Sequence, residues 1–324
     1  MSDELTGKLL KSVSRSFYIS IRVLPRQLRH PIGLAYLLAR ASDTIADTTS
    51  APPQTRLRRL GDFGGLLRGI PSPHAINSIQ RDIQRDIQPE HADERALIAA
   101  LPQVLQQFSA LDAWQWQATS DLLANIIRGQ SNDLEIFDDP QRIIAMPDAA
   151  ALEDYIYLVA GCVGEWWTRL CFRLLPKYSR ISEEELSQLA DSFGKALQLV
   201  NILRDFPDDI AAGRCYLPMS ELREIGVDPI ILRHIPTQAQ SVYDEWLGRA
   251  RLLLEQGRLY IASIRTRRVR IACYIPWRLA GQTLDLIEQR QPLTSGEKVK
   301  VPRSAVRAAI WRSLRVAFTN KALG

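Results

Sequence analysis

Residues 36–47 read YLLARASDTIAD, an apolar helical pattern that is interrupted by one arginine and two aspartates. Positions four apart on an α-helix lie on the same face, so Asp43 and Asp47 share a face with Arg40 and Tyr36. Two like charges at this spacing repel each other slightly. Taken alone, such a pair is most often a solvated helix end, and a functional site requires a second observation.

A second stretch, ALQLVNILRDFPDDIAAGRCYLP (196–218), again places two aspartates four apart, Asp205 and Asp209. Both stretches are otherwise apolar enough for core helices, so the two acidic faces predict a shared cavity. Pro207 lies inside the second pair, where it removes a helix hydrogen bond at a cost of roughly 3 kcal/mol, and the sequence therefore predicts a kink there. Polar residues that could contact an anion accompany the second pair: Gln198, Asn201, Arg204 and Arg214.

Carboxylates with arginines beside them suit a magnesium ion and a diphosphate. Mg²⁺ is usually bound through a few carboxylates together with waters and substrate phosphates. Arginine forms paired hydrogen bonds with phosphate oxygens. Together these groups would stabilise a departing diphosphate in a cavity of low dielectric constant. The residues therefore predict the ionisation of an allylic diphosphate.

The rest of the chain predicts an all-α protein with a single domain over residues 1–324. Apolar residues recur at spacings of three and four, alternating runs typical of strands are scarce, and no long linker divides the sequence. Glycine and proline predict loops, one of them at 213–218. The repeat IQRDIQRDIQ (79–88) is interpreted as an exposed helical turn. The predicted helices cover residues 31–47, 94–108, 117–137, 151–175, 184–210, 241–263 and 269–288.

Composition excludes several other classes of protein. The four cysteines form no CxxC pair, so neither a disulfide framework nor a zinc site is expected. The polar, acidic start MSDELTGKLL predicts no signal peptide, and the lack of a long apolar run predicts no transmembrane helix, so we expect a cytoplasmic protein. The net charge of +5 suits an anionic partner. Nucleic acid is not the expected partner, because carboxylates repel phosphates unless a metal intervenes.

The sequence resembles the squalene/phytoene synthase family of head-to-head prenyl transferases. The resemblance lies in four ordered blocks: SRSFY (14–18), YLLARASDTIAD (36–47), YIYLVAGCVGEWWTRL (155–170) and QLVNILRDFPDDIAAGRCYLP (198–218). It implies an all-α isoprenoid-synthase fold, with a helical bundle around a central active-site cavity. Within this family the blocks are most similar to those of squalene synthases, which implies two molecules of farnesyl diphosphate as substrates. Their coupling gives presqualene diphosphate, which NADPH then reduces to squalene.

The resemblance also implies roles for individual residues. Four aspartates would hold Mg²⁺ against the diphosphates: Asp43, Asp47, Asp205 and Asp209. Tyr155 would remove a proton or stabilise a cation in the first step. Lys300, in KVKVPR (298–303), is a candidate contact for NADPH, with a solvated loop charge as the alternative. Residues that would bind the diphosphates are Ser14, Arg15, Ser16, Tyr36, Arg40, Gln198, Asn201, Arg204 and Arg214.

One departure from the family pattern leaves the final product open. Ala272 stands where an aromatic residue linked to cation stabilisation is expected, and Tyr274 or Trp277 are candidates to replace it. The alternatives to squalene synthase are therefore a dehydrosqualene or phytoene synthase that needs no NADPH, and an enzyme that stops at presqualene diphosphate.

The C-terminal half is rich in arginine, from RTRRVR (265–270) to Arg303, Arg307, Arg312 and Arg315. One interpretation is solvated helix faces. The other is peripheral contact with the inner face of a membrane, where each basic residue near an anionic surface contributes about 1 kcal/mol. A hydrophobic product that must leave into a bilayer is consistent with such contact.

Overall fold

The computed structural model describes residues 2–13, 17–139, 141–295 and 299–316, and over these ranges the protein is almost entirely helical. This confirms the predicted all-α class. Tertiary contacts divide the chain into two compact units, unit 1 (Met1–Glu135) and unit 2 (Ile136–Gly324). The prediction of one domain over residues 1–324 stays a prediction. Within the described ranges, no helix has both the length and the apolar composition needed to cross a membrane.

The helices follow the predicted helical segments closely, and α4, α5 and the terminal helices add to them. Unit 1 contains α1 (Ser2–Val13), α2 (Phe17–Val23), α3 (Arg26–Asp47), α4 (Pro53–Leu67), α5 (Pro73–Asp86), α6 (Ala92–Ser109) and α7 (Ala113–Ile136). Unit 2 contains β1 (Ile144–Met146), α8 (Ala149–Ile156), a π-helical turn (Tyr157–Gly161), α9 (Cys162–Leu174), α10 (Glu183–Ala211), β2 (Arg214–Pro218), α11 (Met219–Glu224), α12 (Gln240–Ser263), α13 (Arg267–Arg290), α14 (Pro292–Ser295) and α15 (Arg303–Val316).

Helix α3 forms much of the core of unit 1, where it packs against α4 and α6. Its C-terminus is held by two hydrogen bonds that side chains donate to backbone carbonyls. Arg56 Nη1 donates to the Ala46 carbonyl at 2.7 Å, and Thr48 Oγ1 donates to the Thr44 carbonyl at 2.6 Å. Because the last carbonyls of a helix lack backbone partners and carry partial negative charge, the buried guanidinium of Arg56 stabilises this end. The last turn of the first aspartate-rich segment is therefore fixed in place.

The repeat at 79–88 is part of the core and is not only an exposed turn. Ile79 and Ile83 of α5 are buried, and Asp86 accepts a hydrogen bond from Arg59 Nε at 2.8 Å. Arg59 itself is only 7% exposed, so its charge requires this carboxylate. The interpretation of this repeat as an exposed turn is wrong, because its period of four places Ile79 and Ile83 on the buried face of α5. Asp82 and Asp86, which pair with Arg59, lie beside that face.

Unit 2 is organised around α10, which packs against α9, α12 and α13. Residues 214–218, predicted as a loop, instead form β2, which pairs in parallel with β1. Such a short strand depends on its partner about 70 residues away in sequence rather than on a local pattern. The strand carries Arg214 and Tyr216 just after the second aspartate pair.

Helix α10 continues through Pro207 to Ala211 without interruption. Proline has no N–H, so the carbonyl of Leu203, four residues earlier, loses its usual partner. The hydroxyl of Tyr243, on α12, donates a hydrogen bond to this carbonyl at 2.7 Å. The expected defect is therefore compensated by a side chain from another helix, and the second aspartate pair lies on a continuous helix.

Two glycines allow α10 to approach the segment that follows Tyr155. A Cβ at Gly194 would lie 2.2 Å from the Ala160 carbonyl oxygen, and one at Gly164 would lie 2.1 Å from the Ala190 carbonyl oxygen. Any larger residue would collide with the backbone. Ala160 belongs to the π-helical turn, a type of distortion that often occurs at functional sites.

Candidate active site

The first aspartate-rich segment presents one polar stripe on an otherwise buried helix. On α3, Tyr36, Arg40 and Asp43 are half-buried and Asp47 is exposed, and the intervening residues are buried except for Ala39. The spacing of these four side chains follows the helical repeat, as the sequence predicted. The stripe is therefore the side of α3 on which polar chemistry can take place.

Asp43 lies among several polar groups of unit 1. The amide Nε2 of Gln130, on α7, donates a hydrogen bond to Asp43 Oδ1 at 2.6 Å, and Arg40 Nη1 lies 3.8 Å from Asp43 Oδ2. The pKa of the Asp43 carboxyl is raised to about 7, first because its surroundings desolvate it and second because the Asp47 carboxylate repels its charge. Arg40 and the Gln130 amide act in the opposite direction. A cation would relieve the same repulsion.

Arg40 is held by a second carboxylate that the sequence did not reveal. Its Nη2 donates to Glu94 Oε1 at 2.7 Å, and Glu94 lies in the first turn of α6. The Arg40 Nε is buried and has no hydrogen-bond partner within the described ranges. Because a buried donor without a partner is costly, this atom is suited to an anion that arrives with a substrate.

Two clefts adjoin the polar stripe in unit 1. The first, of about 480 Å³, is lined by residues that include Val13, Tyr36, Arg40, His91 and Glu94. The second, of about 200 Å³, is lined by Asp47 and the loop that follows it. His91 and Glu94 line both clefts. The stripe therefore faces space that a small charged ligand can enter.

Tyr36 links the stripe to the end of α1. Its hydroxyl donates a hydrogen bond to the Val13 carbonyl at 3.3 Å, and burial raises the pKa of this phenol. The predicted diphosphate-binding residues Ser14, Arg15 and Ser16 lie outside the described residues. Their roles stay predictions, although Val13 lines the larger cleft.

The second aspartate-rich segment, in unit 2, also presents its polar residues on one side of α10. Gln198, Asn201, Asp205 and Asp209 are half-buried at helical spacing. Arg204 Nε donates to Asp205 Oδ1 at 2.8 Å, and Arg204 Nη2 contacts the other oxygen of the same carboxylate.

The charge of Asp209 is felt by both Arg204 and the buried thiol of Cys215. Hydrogen bonding to Asp205 is the main cause that raises the pKa of Arg204, and Asp209 adds to it. The pKa of the Cys215 thiol is raised to about 12, mainly by burial and to a smaller extent by Asp209. Cys215 belongs to β2, so the second pair lies beside the strand that carries Arg214.

Tyr155 belongs to an aromatic group that begins where α8 ends. Asp148 caps α8 through a hydrogen bond from Ala151 N to Asp148 Oδ1 at 2.8 Å. The Tyr155 ring stacks on Tyr216 with centroids 5.3 Å apart, and Phe137 contacts the other ring edge-on at 5.1 Å. Aromatic faces attract cations, so this group is suited to a carbocation.

The donor set fits magnesium through two carboxylates in each unit. Among the described residues, no group of three or more histidines, cysteines, aspartates or glutamates is arranged to hold a metal ion. Mg²⁺ commonly uses only one or two carboxylates and completes its coordination with waters and phosphates. A hydrated cation beside the first pair would offset the repulsion that raises the pKa of Asp43 and could supply a donor to the buried Oε1 of Gln130, which has no partner among the described residues.

The structure therefore groups most of the predicted residues within their own units. Lys300 is exposed in the segment before α15, and its role stays a prediction. Several residues were not predicted from the sequence: Glu94, His91, Gln130, Phe137 and Tyr216. Gln130 carried a faint signal, because it is a polar side chain on the apolar side of α7.

Over the described residues the fold is all-α, with one aspartate-rich helix in each unit. A model of the squalene/phytoene synthase family matches residues 10–305, and the chain belongs to this family. The chain is 27% identical over 317 residues to the squalene synthase of Yarrowia lipolytica, covering 96% of this chain and 66% of the relative. It is 29% identical over 220 residues to the presqualene diphosphate synthase of Rhodopseudomonas palustris, covering 67% of this chain and 62% of the relative.

A solved structure confirms the predicted isoprenoid-synthase fold. The complex of TcSQS with the ligand BPH1237 superposes on this chain with a TM-score of 0.78 at 23% identity, covering 99% of this chain and 89% of that one. The chain spans somewhat less than two thirds of the length of the curated relatives named above.

Proposed function

We propose that this chain is a squalene synthase that couples two molecules of farnesyl diphosphate to presqualene diphosphate and reduces this product to squalene with NADPH. The observation that carries the proposal is the polar stripe of α3, where Arg40 lines one cleft, Asp47 lines a second, and a desolvated Asp43 lies on the same face of the helix. Similarity to a squalene synthase over nearly the whole chain supports the choice within the family.

Three residues of the stripe, together with residues of the second segment, have roles in this reaction. Asp43 and Asp47, with Asp205 and Asp209, would hold Mg²⁺, which when bound supplies positive charge for the departing diphosphate. Arg40 would bind diphosphate oxygens through the Nε that has no partner within the described ranges. Residues from the second segment, such as Asn201 and Arg214, would bind diphosphate oxygens in the same way.

Tyr155 would act on the cation that the departure of the diphosphate leaves behind. Its ring is stacked on Tyr216, and the pair offers an aromatic surface in a half-buried position. Such a surface stabilises positive charge without adding to it as a nucleophile. The phenol of Tyr155 would also accept or pass on the proton lost in the first coupling.

A second candidate reaction stops at presqualene diphosphate. Ala272 is only 2% exposed on α13, where an aromatic residue was expected, and the Trp277 indole already donates a hydrogen bond to the Leu254 carbonyl at 3.0 Å. Trp277 is therefore engaged in the contact between α12 and α13. Similarity to a presqualene diphosphate synthase also favours this alternative.

Incubation of the purified protein with farnesyl diphosphate and Mg²⁺, with and without NADPH, separates these reactions. Squalene that forms only with NADPH is the expected product. A hydrocarbon mixture that NADPH does not change would contradict squalene synthesis and indicate dehydrosqualene or a related product. Presqualene diphosphate that accumulates in both mixtures would indicate the shorter reaction.

Asp43→Asn and Asp205→Asn test whether the aspartate-rich helices are catalytic. Each is expected to reduce coupling at least about a hundredfold, as removal of groups that stabilise a leaving charge does elsewhere. Asp121→Asn, which changes an exposed aspartate on α7, serves as the matched control. Coupling at the wild-type rate in either test variant would show that the assignment is wrong.

We also propose that α15 makes peripheral contact with an anionic membrane surface, without crossing the membrane. Trp311 is 73% exposed, and Arg307 and Arg312 are exposed on the same helix. Tryptophan and arginine together favour the boundary between water and acidic lipid headgroups. Co-sedimentation with phosphatidylglycerol vesicles is expected to fall in Trp311→Ala, and to remain unchanged in Leu252→Ala, which removes an equally exposed apolar side chain from α12. Equal binding to neutral vesicles would argue against this contact.

A further inference from the structure

Gln130 is a buried polar residue that contacts Asp43, and the family resemblance assigns it no role. It lies on α7, 87 residues from Asp43 in sequence, and is 8% exposed. Its Nε2 donates to Asp43 Oδ1 at 2.6 Å, whereas its Oε1 is buried without a partner within the described ranges. One end of the amide is thus used on the carboxylate, and the other end is available.

The orientation of this amide follows for the ionised state of Asp43, which a bound cation favours. An ionised carboxylate only accepts hydrogen bonds, so a flipped amide would place its oxygen against Asp43 Oδ1 and the two would repel. The N–H end therefore faces Asp43. As a consequence, Oε1 points away from the carboxylate and can accept a hydrogen bond from another donor.

A neutral donor at this position differs in effect from a lysine or arginine. A cation would neutralise Asp43 and compete with any metal that it binds. The amide instead fixes one carboxylate oxygen while the negative charge remains, and Asp43 Oδ2 stays on the side of Arg40. Groups of this kind, which contact a metal ligand rather than the metal, commonly orient the ligand and tune metal affinity.

We propose that Gln130 is a positioning residue that holds Asp43 for Mg²⁺ and accepts a hydrogen bond through Oε1 from a water bound to that ion. This inference rests on the proposed function of the α3 stripe and adds a residue to it. The ligand class is a hydrated divalent cation together with a diphosphate. In this role Gln130 would act only through Asp43 and the metal-bound water.

The test compares Gln130→Met, which keeps the length of the side chain but has neither donor nor acceptor, with wild type. Gln117→Met, on an exposed part of the same helix, is the matched control. Mg²⁺ is titrated by calorimetry into protein saturated with inorganic diphosphate, and thermal unfolding is measured separately in EDTA. We expect Gln130→Met to weaken Mg²⁺ binding about tenfold, while its unfolding temperature in EDTA is not lowered.

The dependence of turnover on Mg²⁺ gives a second readout. The Mg²⁺ concentration for half-maximal rate is expected to rise about tenfold in Gln130→Met, with kcat at saturating Mg²⁺ reduced much less. Unchanged Mg²⁺ affinity together with a lower unfolding temperature would overturn the proposal and make Gln130 a packing residue. If Gln130→Met does not fold, Gln130→Asn keeps the polar group but shortens its reach, and the same shift in Mg²⁺ affinity is expected.

Failure of this inference can be distinguished from failure of the proposed function. If wild type couples farnesyl diphosphate and Asp43→Asn does not, but Gln130→Met binds Mg²⁺ like wild type, only the role of Gln130 is wrong. If wild type binds neither Mg²⁺ nor inorganic diphosphate, the proposed function fails together with the inference.

Discussion

At the residue scale, the Asp43 carboxylate carries an unfavourable charge that lowers the stability of the fold and that a cation would compensate. Its carboxyl is packed among protein atoms and faces Asp47, yet 42% of its side-chain surface remains accessible. Protein atoms around it reduce hydration, whereas the accessible part lets a ligand reach it. The charged form is therefore disfavoured in the metal-free protein and favoured once a cation binds.

Asp43→Asn is expected to stabilise the metal-free protein while it abolishes coupling. The folded-state pKa of Asp43 is about 7, well above about 3.9, the usual pKa of an aspartate in an unfolded chain, so ionisation opposes folding increasingly as the pH rises between these two values. The gain in unfolding temperature, of about 1–3 °C, should therefore be larger at pH 8 than at pH 5. Scanning calorimetry in EDTA at both pH values checks this, and a gain that is larger at pH 5 would contradict it.

Glu94 holds one end of the Arg40 guanidinium. The ion pair at 2.7 Å engages Nη2, whereas the buried Nε has no hydrogen-bond partner within the described ranges. Glu94→Gln is expected to raise the KM for farnesyl diphosphate about tenfold, because a hydrogen bond to a charged group contributes about 1.5 kcal/mol, with a smaller effect on kcat. Glu135→Gln, an exposed change on α7, is the control. An unchanged KM would show that Arg40 does not depend on Glu94.

The residues that could be predicted from sequence are those whose spacing is local. Asp43 and Asp47 follow the helical repeat, and so do Asp205 and Asp209, so their faces were correctly inferred. Gln130 meets Asp43 only through tertiary folding, and it is one of several amides on α7, so the sequence gives it no distinctive pattern. Sequence reasoning therefore could not identify residues such as Gln130, because they contact a predicted site residue from an element that is distant in sequence.

At the scale of elements, the helices were predicted well because their apolar repeat is long, whereas the contact that compensates for Pro207 was not predicted. The cost of proline in a helix was correctly recognised, but its remedy comes from Tyr243, which is 40 residues downstream. The strand β2 was missed for a related reason, since its pairing partner is also distant. In both cases the structural effect of a local sequence feature depends on a tertiary contact.

The contact between Tyr243 and Leu203 can be tested by a double-mutant cycle. In wild type, Tyr243→Phe leaves the Leu203 carbonyl without a partner and is expected to cost about 1–3 kcal/mol of unfolding free energy. In Pro207→Ala the new backbone N–H can bond to this carbonyl, so Tyr243→Phe should cost less in that background. Urea denaturation of the four proteins gives the coupling. Equal costs in both backgrounds would show that Tyr243 does not compensate for Pro207.

At the scale of the whole molecule, the family match runs without a break across the boundary between unit 1 and unit 2. It covers residues 10–305, whereas the two compact units meet at Glu135 and Ile136. Each unit has its own buried residues, including Leu97 in α6 and Leu170 in α9, both fully inaccessible. Contact density alone thus does not determine how many cooperative units unfold.

The predicted single domain has a thermodynamic consequence that two core substitutions can test. Leu97→Ala and Leu170→Ala each create a cavity and are expected to cost about 2–5 kcal/mol. If residues 1–324 unfold as one domain, calorimetry shows one transition whose calorimetric and van't Hoff enthalpies agree, and either substitution lowers that whole transition. The conservative changes Leu97→Met and Leu170→Met, which keep most of the volume, should shift it much less. Two transitions, one lowered only by Leu97→Ala and the other only by Leu170→Ala, would show that the units unfold independently and that the single-domain prediction is wrong.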